Sequence, residues 1–209
     1  MGKTIITIGR QFGSNGRIIG KKVAKKLGCD CYDKELIKEV AKQSGLWEDL
    51  LDNLDEKPTN SFLYSVVMDP YAFAYSFDNS NYGLNLNQKA FLATYETIRQ
   101  IASEKSAVFI GRCSNYILKD MDNVLNVFVY APIEDRVNNI VTRYNDITEK
   151  QARDQISKED KARAAYFNYY TSYKWGNVES YDLCINSSVI GVDTAAELIL
   201  KSAAEMRKR

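Results

Sequence analysis

The sequence predicts a three-layer α/β/α fold built on a five-stranded parallel sheet. Five short apolar runs, centred on Ile5–Ile8, Cys31, Ala107–Ile110, Val127–Val129 and Tyr181–Ile185, alternate with stretches of helical period. Polar and glycine-rich positions collect just after these runs, where open parallel sheets bind their ligands. The 209 residues fit one domain, with room for a small inserted lobe, and 45% apolar content is enough for a core.

Lys3–Ile8 reads as the first strand and Asn15–Leu27 as the helix after it, with Ile19, Val23 and Leu27 at four-residue spacing on one face. Gly9, Gly13 and Gly16 lie between strand and helix, with Ser14 and Asn15 between the last two. A strand, a glycine-rich turn and a helix N-terminus together cradle phosphate, because glycines let backbone N–H groups approach an anion and the helix adds unsatisfied donors. The turn departs from the full G-x-x-x-x-G-K-[ST] pattern. Arg17 stands where the lysine would be, Gln11 where the first glycine would be, and Ile18 where a hydroxyl would touch magnesium. The plainer alternative is a glycine-rich βα turn followed by a surface arginine.

Gly28 suits a helix C-cap, Cys29–Tyr32 a short second strand, and Asp33 falls at its end. Asp33 is placed like a site residue, and equally like the N-cap of a helix over 34–43. A further amphipathic helix is expected over 46–54. From 55 to 87 the pattern gives way to an irregular lobe rich in aromatics, which either closes over a planar substrate or packs the lobe onto the body. Leu86–Ser103 reads as a long helix with Ala90, Tyr95, Ile98 and Ala102 on its buried side.

Ala107–Ile110 is the third strand, ended by Gly111-Arg112. Arg112 at that edge is a phosphate fork or a partner for a nearby carboxylate. Val124–Tyr130 is the fourth strand, and Pro132 with Glu134 and Asp135 opens the helix carrying Arg136 and Arg143. Thr148 is the expected N-cap of a helix running to about Tyr170, whose polar face carries Arg153, Lys158, Asp160, Lys161 and Arg163. This is an arginine-rich arm over a triphosphate, or a solvated helix with pairs such as Glu159–Arg163. Tyr181–Ile185 is the fifth strand, 186–188 its exit loop, and Asp193–Met206 the last helix.

The chain has no histidine. That excludes a Ser-His-Asp triad, a Cys-His pair and His-bearing zinc sites. Phosphoryl transfer survives, since positioning and charge neutralisation by arginine, aspartate and magnesium suffice for it. Basic and acidic residues nearly cancel, 28 against 27, so neither nucleic acid nor a membrane surface is expected as a partner. A homo-oligomer is compatible with the sequence. The N-terminus lacks a signal pattern and no run is long enough to span a bilayer, so a cytoplasmic location is expected. Cys29, Cys31, Cys113 and Cys184 are expected as buried reduced thiols rather than metal ligands.

The segments I-T-I-G-R-Q-F-G-S-N-G-R-I-I-G at 6–20, Y-D-K-E-L-I at 32–37, V-F-I-G-R-C at 108–113, D-K-A-R-A-A-Y-F-N-Y-Y at 160–170 and Y-D-L-C-I-N-S-S at 181–188 resemble the cytidylate kinase-like family, a branch of the P-loop nucleoside monophosphate kinases. The resemblance covers roughly 1–45 and 86–205. It implies a P-loop kinase-like fold, a substrate-binding lobe at about 46–85, and a mobile arginine-bearing lid at about 144–175. It implies ATP and Mg2+ as cofactors and a nucleoside monophosphate, CMP or dCMP in type, as acceptor.

By position, Gly13, Ser14, Asn15, Gly16 and Arg17 would hold the donor phosphates, and Asp33 would lie near acceptor and magnesium. Arg112 would grip the acceptor phosphate, and Asp160 and Arg163 match an Asp-x-x-Arg element on the acceptor side. Cys113 replaces an aspartate involved in acceptor recognition. Arg17, Asp33 and Arg112 are thus the candidate catalytic groups, and no residue is assigned as a dedicated metal ligand. The alternatives are a nucleotide-binding sensor that has lost chemistry and a kinase of another small metabolite.

Overall fold

The computed structural model describes residues 3–33 and 86–206. The helices expected over 34–43 and 46–54 and the lobe at 46–85 lie outside the described residues. The elements in chain order are β1 (Ile5–Arg10), α1 (Gly16–Leu27), β2 (Asp30–Tyr32), α2 (Leu86–Glu104), β3 (Ala107–Ile110), α3 (Ser114–Ile117), β4 (Val124–Tyr130), α4 (Ile133–Arg143), α5 (Glu149–Tyr170), β5 (Leu183–Asn186) and α6 (Ser187–Met206). The five strands form one sheet in the order β2-β3-β1-β4-β5, and every pairing is parallel. The expected α/β/α architecture with a five-stranded parallel sheet is what the chain adopts.

Side chains alternate across the sheet and so feed two separate cores. Ile6, Ile8, Val108, Val127 and Val129 pack with Ile19 and Val23 of α1 and with Ala195, Ala196 and Ile199 of α6. Ile5, Ala107 and Phe109 pack on the other face with Ile98 and Ala102 of α2 and with Phe167 and Tyr170 of α5. Phe91 and Tyr170 stack there with ring centroids 4.0 Å apart. A third cluster, Val137, Ile140, Ala152 and Ile156, joins α4 to α5, and Phe12 packs against it. That cluster brings the α4–α5 hairpin onto the turn after β1.

Several boundaries differ from expectation, each for a non-local reason. β1 runs on to Arg10 because Gly9 and Arg10 pair with Phe128 and Val129 of β4. Cys29 is not in β2, since its N–H still donates to Ala24 O at 3.1 Å in the cap of α1, so Cys29 and Cys31 share no strand face. β5 begins at Leu183 because Val178–Ser180 forms a 3-10 turn and the Asp182 N–H donates to Asn126 O at 2.8 Å. α6 starts at Ser187, not Asp193, and is broken at Gly191 (φ 73°, ψ 169°). The short α3 was not expected. Thr148 does cap α5: its Oγ1 accepts the Gln151 N–H at 3.3 Å while Gln151 Oε1 accepts the Thr148 N–H at 2.9 Å.

None of the four cysteines is in a disulfide; Cys113 is buried and the other three are half-buried. Burial, with a smaller effect of Asp30, pushes the Cys29 thiol up to about 11, and burial raises Cys113 and Cys184 as well. Tyr170 and Tyr181 are raised mainly by burial too. A group whose neutral form is favoured by folding stabilises the fold below its unfolded pKa and loses that contribution as pH rises through the folded value. Stability is therefore expected to hold to about pH 9, where unfolded thiols ionise, and to fall from there through pH 11. Denaturant melts at pH 7, 9 and 10.5 check this; a flat profile would contradict it.

Among the described residues, no helix is long and apolar enough to cross a membrane.

Candidate functional site

The turn between β1 and α1 is held by its carbonyl oxygens. The Gln11 oxygen accepts the Ser14 Oγ hydroxyl at 2.9 Å, and Ser14 is fully buried. The Phe12 oxygen accepts from Arg136 Nη1 at 3.4 Å, the Gly13 oxygen from Asn139 Nδ2 at 2.9 Å, and the Ser14 oxygen from Ser187 Oγ at 2.7 Å. The Asn15 oxygen accepts the Ile19 N–H at 3.0 Å and begins α1. The N–H groups show the reverse pattern. Those of Gly13, Asn15, Gly16 and Arg17 have no protein acceptor among the described residues, whereas the Ser14 N–H donates to Gln11 O at 3.4 Å.

Gly13 is required twice over. Its φ is +79°, and a Cβ there would lie 2.9 Å from the Arg136 oxygen and 3.2 Å from Ile140 Cδ1. Asn15 is also left-handed (φ 62°), and its Oδ1 accepts from Arg143 Nη2 at 2.7 Å.

A second turn, after β3, stands beside the first. Gly111, Arg112 and Cys113 are consecutively left-handed, with φ of 75°, 58° and 57°. Two of them carry side chains, which makes this a strained turn of the kind that clusters at functional sites. It sets Arg112 in a pocket also lined by Arg10, Arg163, Tyr166, Trp175 and Tyr181. Burial lowers the proton affinity of the Arg112 guanidinium; Tyr166, Asp33 and Cys113 raise it and Arg163 lowers it further. It stays charged, as arginine does in proteins.

Asp33 is buried at the end of β2 and sits between two arginines, with Oδ2 2.5 Å from Arg17 Nε and Oδ1 3.6 Å from Arg10 Nη2. The Arg10 side chain reaches across Gly111, where a Cβ would come within 1.9 Å of Nη1. Gly111→Ala is therefore expected to push Arg10 aside and to cost about 1–2 kcal/mol for the left-handed backbone. Chemical denaturation checks it, and a loss below a few tenths would show that the turn relaxes without strain.

The sequence-derived candidates other than Asp160 divide into three places. Gly13–Gly16 form the turn itself; Arg17 and Asp33 pair at its edge; Arg112 and Arg163 line the pocket beside it. Arg163 donates to the Arg10 carbonyl at 3.4 Å, lies over the Phe12 ring with its guanidinium carbon 5.3 Å from the centroid, and has Glu159 at 3.8 Å. Asp160 faces the turn. Its Oδ1 accepts the Phe12 N–H at 2.7 Å and its Oδ2 meets Arg136 Nη1 at 2.5 Å.

Four residues at the site were not among the candidates: Arg10, Arg136, Asn139 and Ser187. Arg10 belongs to β1 through its pairing with Val129, which the local sequence does not show. Arg136 and Asn139 lie three apart on α4 and so share a helix face. That spacing was the available signal, but only the tertiary fold shows that the face meets the turn.

For Mg2+, the described residues contain no cluster of three or more acidic, cysteine or histidine side chains. Asp33 is at the right edge but is engaged by two guanidiniums. Mg2+ commonly rides on substrate phosphates, with its waters and one or two carboxylates. The donor set fits that mode and not a protein cage.

The model of the cytidylate kinase-like family matches residues 5–189. Cytidylate kinases of two Saccharolobus islandicus strains, L.S.2.15 / Lassen #1 and M.14.25 / Kamchatka #1, are each 28% identical over 100 residues, 48% of this chain and 52% of theirs. The chain thus matches about half the length of these curated relatives. The crystal structure of an uncharacterized protein from Eubacterium ventriosum ATCC 27560 superposes with a TM-score of 0.72 at 28% identity, covering 97% of this chain and 99% of that one. Shikimate kinase from Bacteroides thetaiotaomicron superposes with a TM-score of 0.50 at 10% identity, over 96% of this chain and 98% of its own, a likeness of fold alone.

Proposed function

This chain belongs to the cytidylate kinase-like family, and from that premise we propose that it transfers the γ-phosphoryl group of ATP to a nucleoside monophosphate of the CMP or dCMP type. The observation that carries the proposal is the row of N–H groups at Gly13, Asn15, Gly16 and Arg17, without protein acceptors among the described residues, beside a pocket holding three guanidiniums. Oriented amides at a helix start bind the donor's phosphates. Arg112 and Arg163, with Arg10, grip the acceptor phosphate as forked donors.

An acceptor phosphate oxygen attacks the γ-phosphorus, the bond to the β-bridging oxygen breaks, and ADP leaves with that electron pair. The guanidiniums neutralise the charge that develops, and no side-chain base is required. Arg17 turns from Asp33 to the β- and γ-phosphates when the nucleotide enters. Asp33 is then released to orient the acceptor or a nucleotide-borne Mg2+, which when bound supplies further charge neutralisation between the phosphates.

A second reading, a sensor that binds nucleotide without chemistry, is favoured by the Arg17–Asp33 pair at 2.5 Å and by Ile18 in the hydroxyl position. The two are separated by incubating the protein with ATP and Mg2+ alone or with CMP, dCMP, UMP, AMP or GMP, and quantifying ADP. Transfer predicts ADP that depends on CMP or dCMP. ATP binding with no ADP from any acceptor would overturn it in favour of the sensor.

A further inference from the structure

The α4–α5 hairpin does more at this site than carry arginines near it. A peptide unit is planar and trans, so its C=O and the following N–H point in opposite directions. Fixing a carbonyl oxygen therefore aims the next N–H. The Phe12 oxygen, held by Arg136, aims the Gly13 N–H, and the Ser14 oxygen, held by Ser187, aims the Asn15 N–H. The Gly13 oxygen, held by Asn139, turns the Ser14 N–H back toward Gln11 and so settles the tilt of the residue between the two outward amides.

Arg136 is only 8% exposed, and Asp160 holds it with one oxygen while taking the Phe12 N–H with the other. Asp160 therefore grips both the turn and the side chain that grips the turn. At Gly13, where a Cβ would meet the Arg136 backbone oxygen at 2.9 Å, the turn lies directly against α4.

We propose that Asn139 and the Arg136–Asp160 pair are positioning residues that preset the phosphate turn, holding its carbonyl oxygens so that its N–H groups are committed to an anion before one arrives. The proposal rests on the turn's being a phosphate site. It accounts for how a turn with neither the usual lysine nor its hydroxyl can still bind a polyphosphate: preorganisation of the amides by the hairpin takes the place of part of the missing side-chain contact. Both oxygens of Asp160 are spent on this task, which makes its role one exerted through Phe12 and Arg136.

Asn139 is half-buried and is the member that can be changed with least disturbance to the core. The 15N-labelled full chain is titrated with sodium tripolyphosphate and followed by NMR, with Asn139→Ala compared to the parent. In the parent, the amides of Gly13, Asn15 and Gly16 are expected to shift saturably. In Asn139→Ala the dissociation constant should rise about tenfold, because the turn must then be ordered as the anion binds, with the thermal midpoint falling by only about 2–4 °C for the missing intramolecular hydrogen bond. Asn139→Gln, which keeps the amide donor, should recover part of the loss.

With ATP as substrate, the same Asn139→Ala change should raise KM more than it lowers kcat. Asn139→Leu, similar in volume but without the donor, carries the test if the alanine variant does not fold. Tripolyphosphate affinity equal to the parent's in either variant, or parent amides that do not respond, would overturn the proposal. Failure of phosphoryl transfer itself would show separately, as normal amide shifts with no ADP formed.

Discussion

Asp160→Ala is expected to lower stability by about 3 kcal/mol, the scale for breaking a buried ion pair from one side, and the melting midpoint by about 6–12 °C for a chain of this size. The substitution leaves Arg136, with a side chain 10% exposed, without its carboxylate. It also removes the acceptor of the Phe12 N–H. Arg136 Nε already lacks a partner among the described residues, so the side chain has little left to share. Asp160→Asn keeps an oxygen for Phe12 and should lose less. Chemical denaturation of both variants checks the order, and a loss under about 1 kcal/mol for the alanine variant would mean that solvent or a neighbour replaces the contact.

Arg112→Ala is expected to lower turnover by roughly ten- to a hundredfold, as removal of a charge-stabilising group does. The reason lies in the backbone as much as in the charge. Two non-glycine residues are held left-handed where the chain brings Arg112 into the pocket with Arg10 and Arg163. Arg112→Lys should recover only part of the rate, because an ammonium lacks the planar fork. Steady-state kinetics with CMP and ATP decide it; unchanged parameters would remove Arg112 from the site.

What could be read from the sequence was what is encoded locally. The strand–glycine–helix unit at Ile5–Leu27 is written in adjacent apolar and glycine positions, and the Thr148 cap in a spacing of three residues. The ends of β1 and β5 were misplaced because they are fixed by pairing with β4, more than a hundred residues from β1 and more than fifty from β5. The site divided along the same line. Asp33, Arg112 and the turn could be placed at one sheet edge from strand ends alone.

Arg10, Arg136 and Asn139 could not, nor could the partners of Asp160. The Phe12–Asp160 bond joins residues 148 apart, and no local pattern distinguishes an aspartate that anchors a turn from one that faces solvent on the same helix. Serines at 187 and 188 suggest an exit loop, yet Ser187 starts α6 and its hydroxyl donates to the Ser14 oxygen in the turn between β1 and α1.

A crystal structure with a non-hydrolysable ATP analogue and Mg2+ tests the central claim most directly. Phosphate oxygens are expected within hydrogen-bonding distance of the Gly13, Asn15 and Gly16 N–H groups, with Arg17 swung from Asp33 onto the polyphosphate. A nucleotide seated elsewhere, or bound here with those amides turned into the protein, would contradict it.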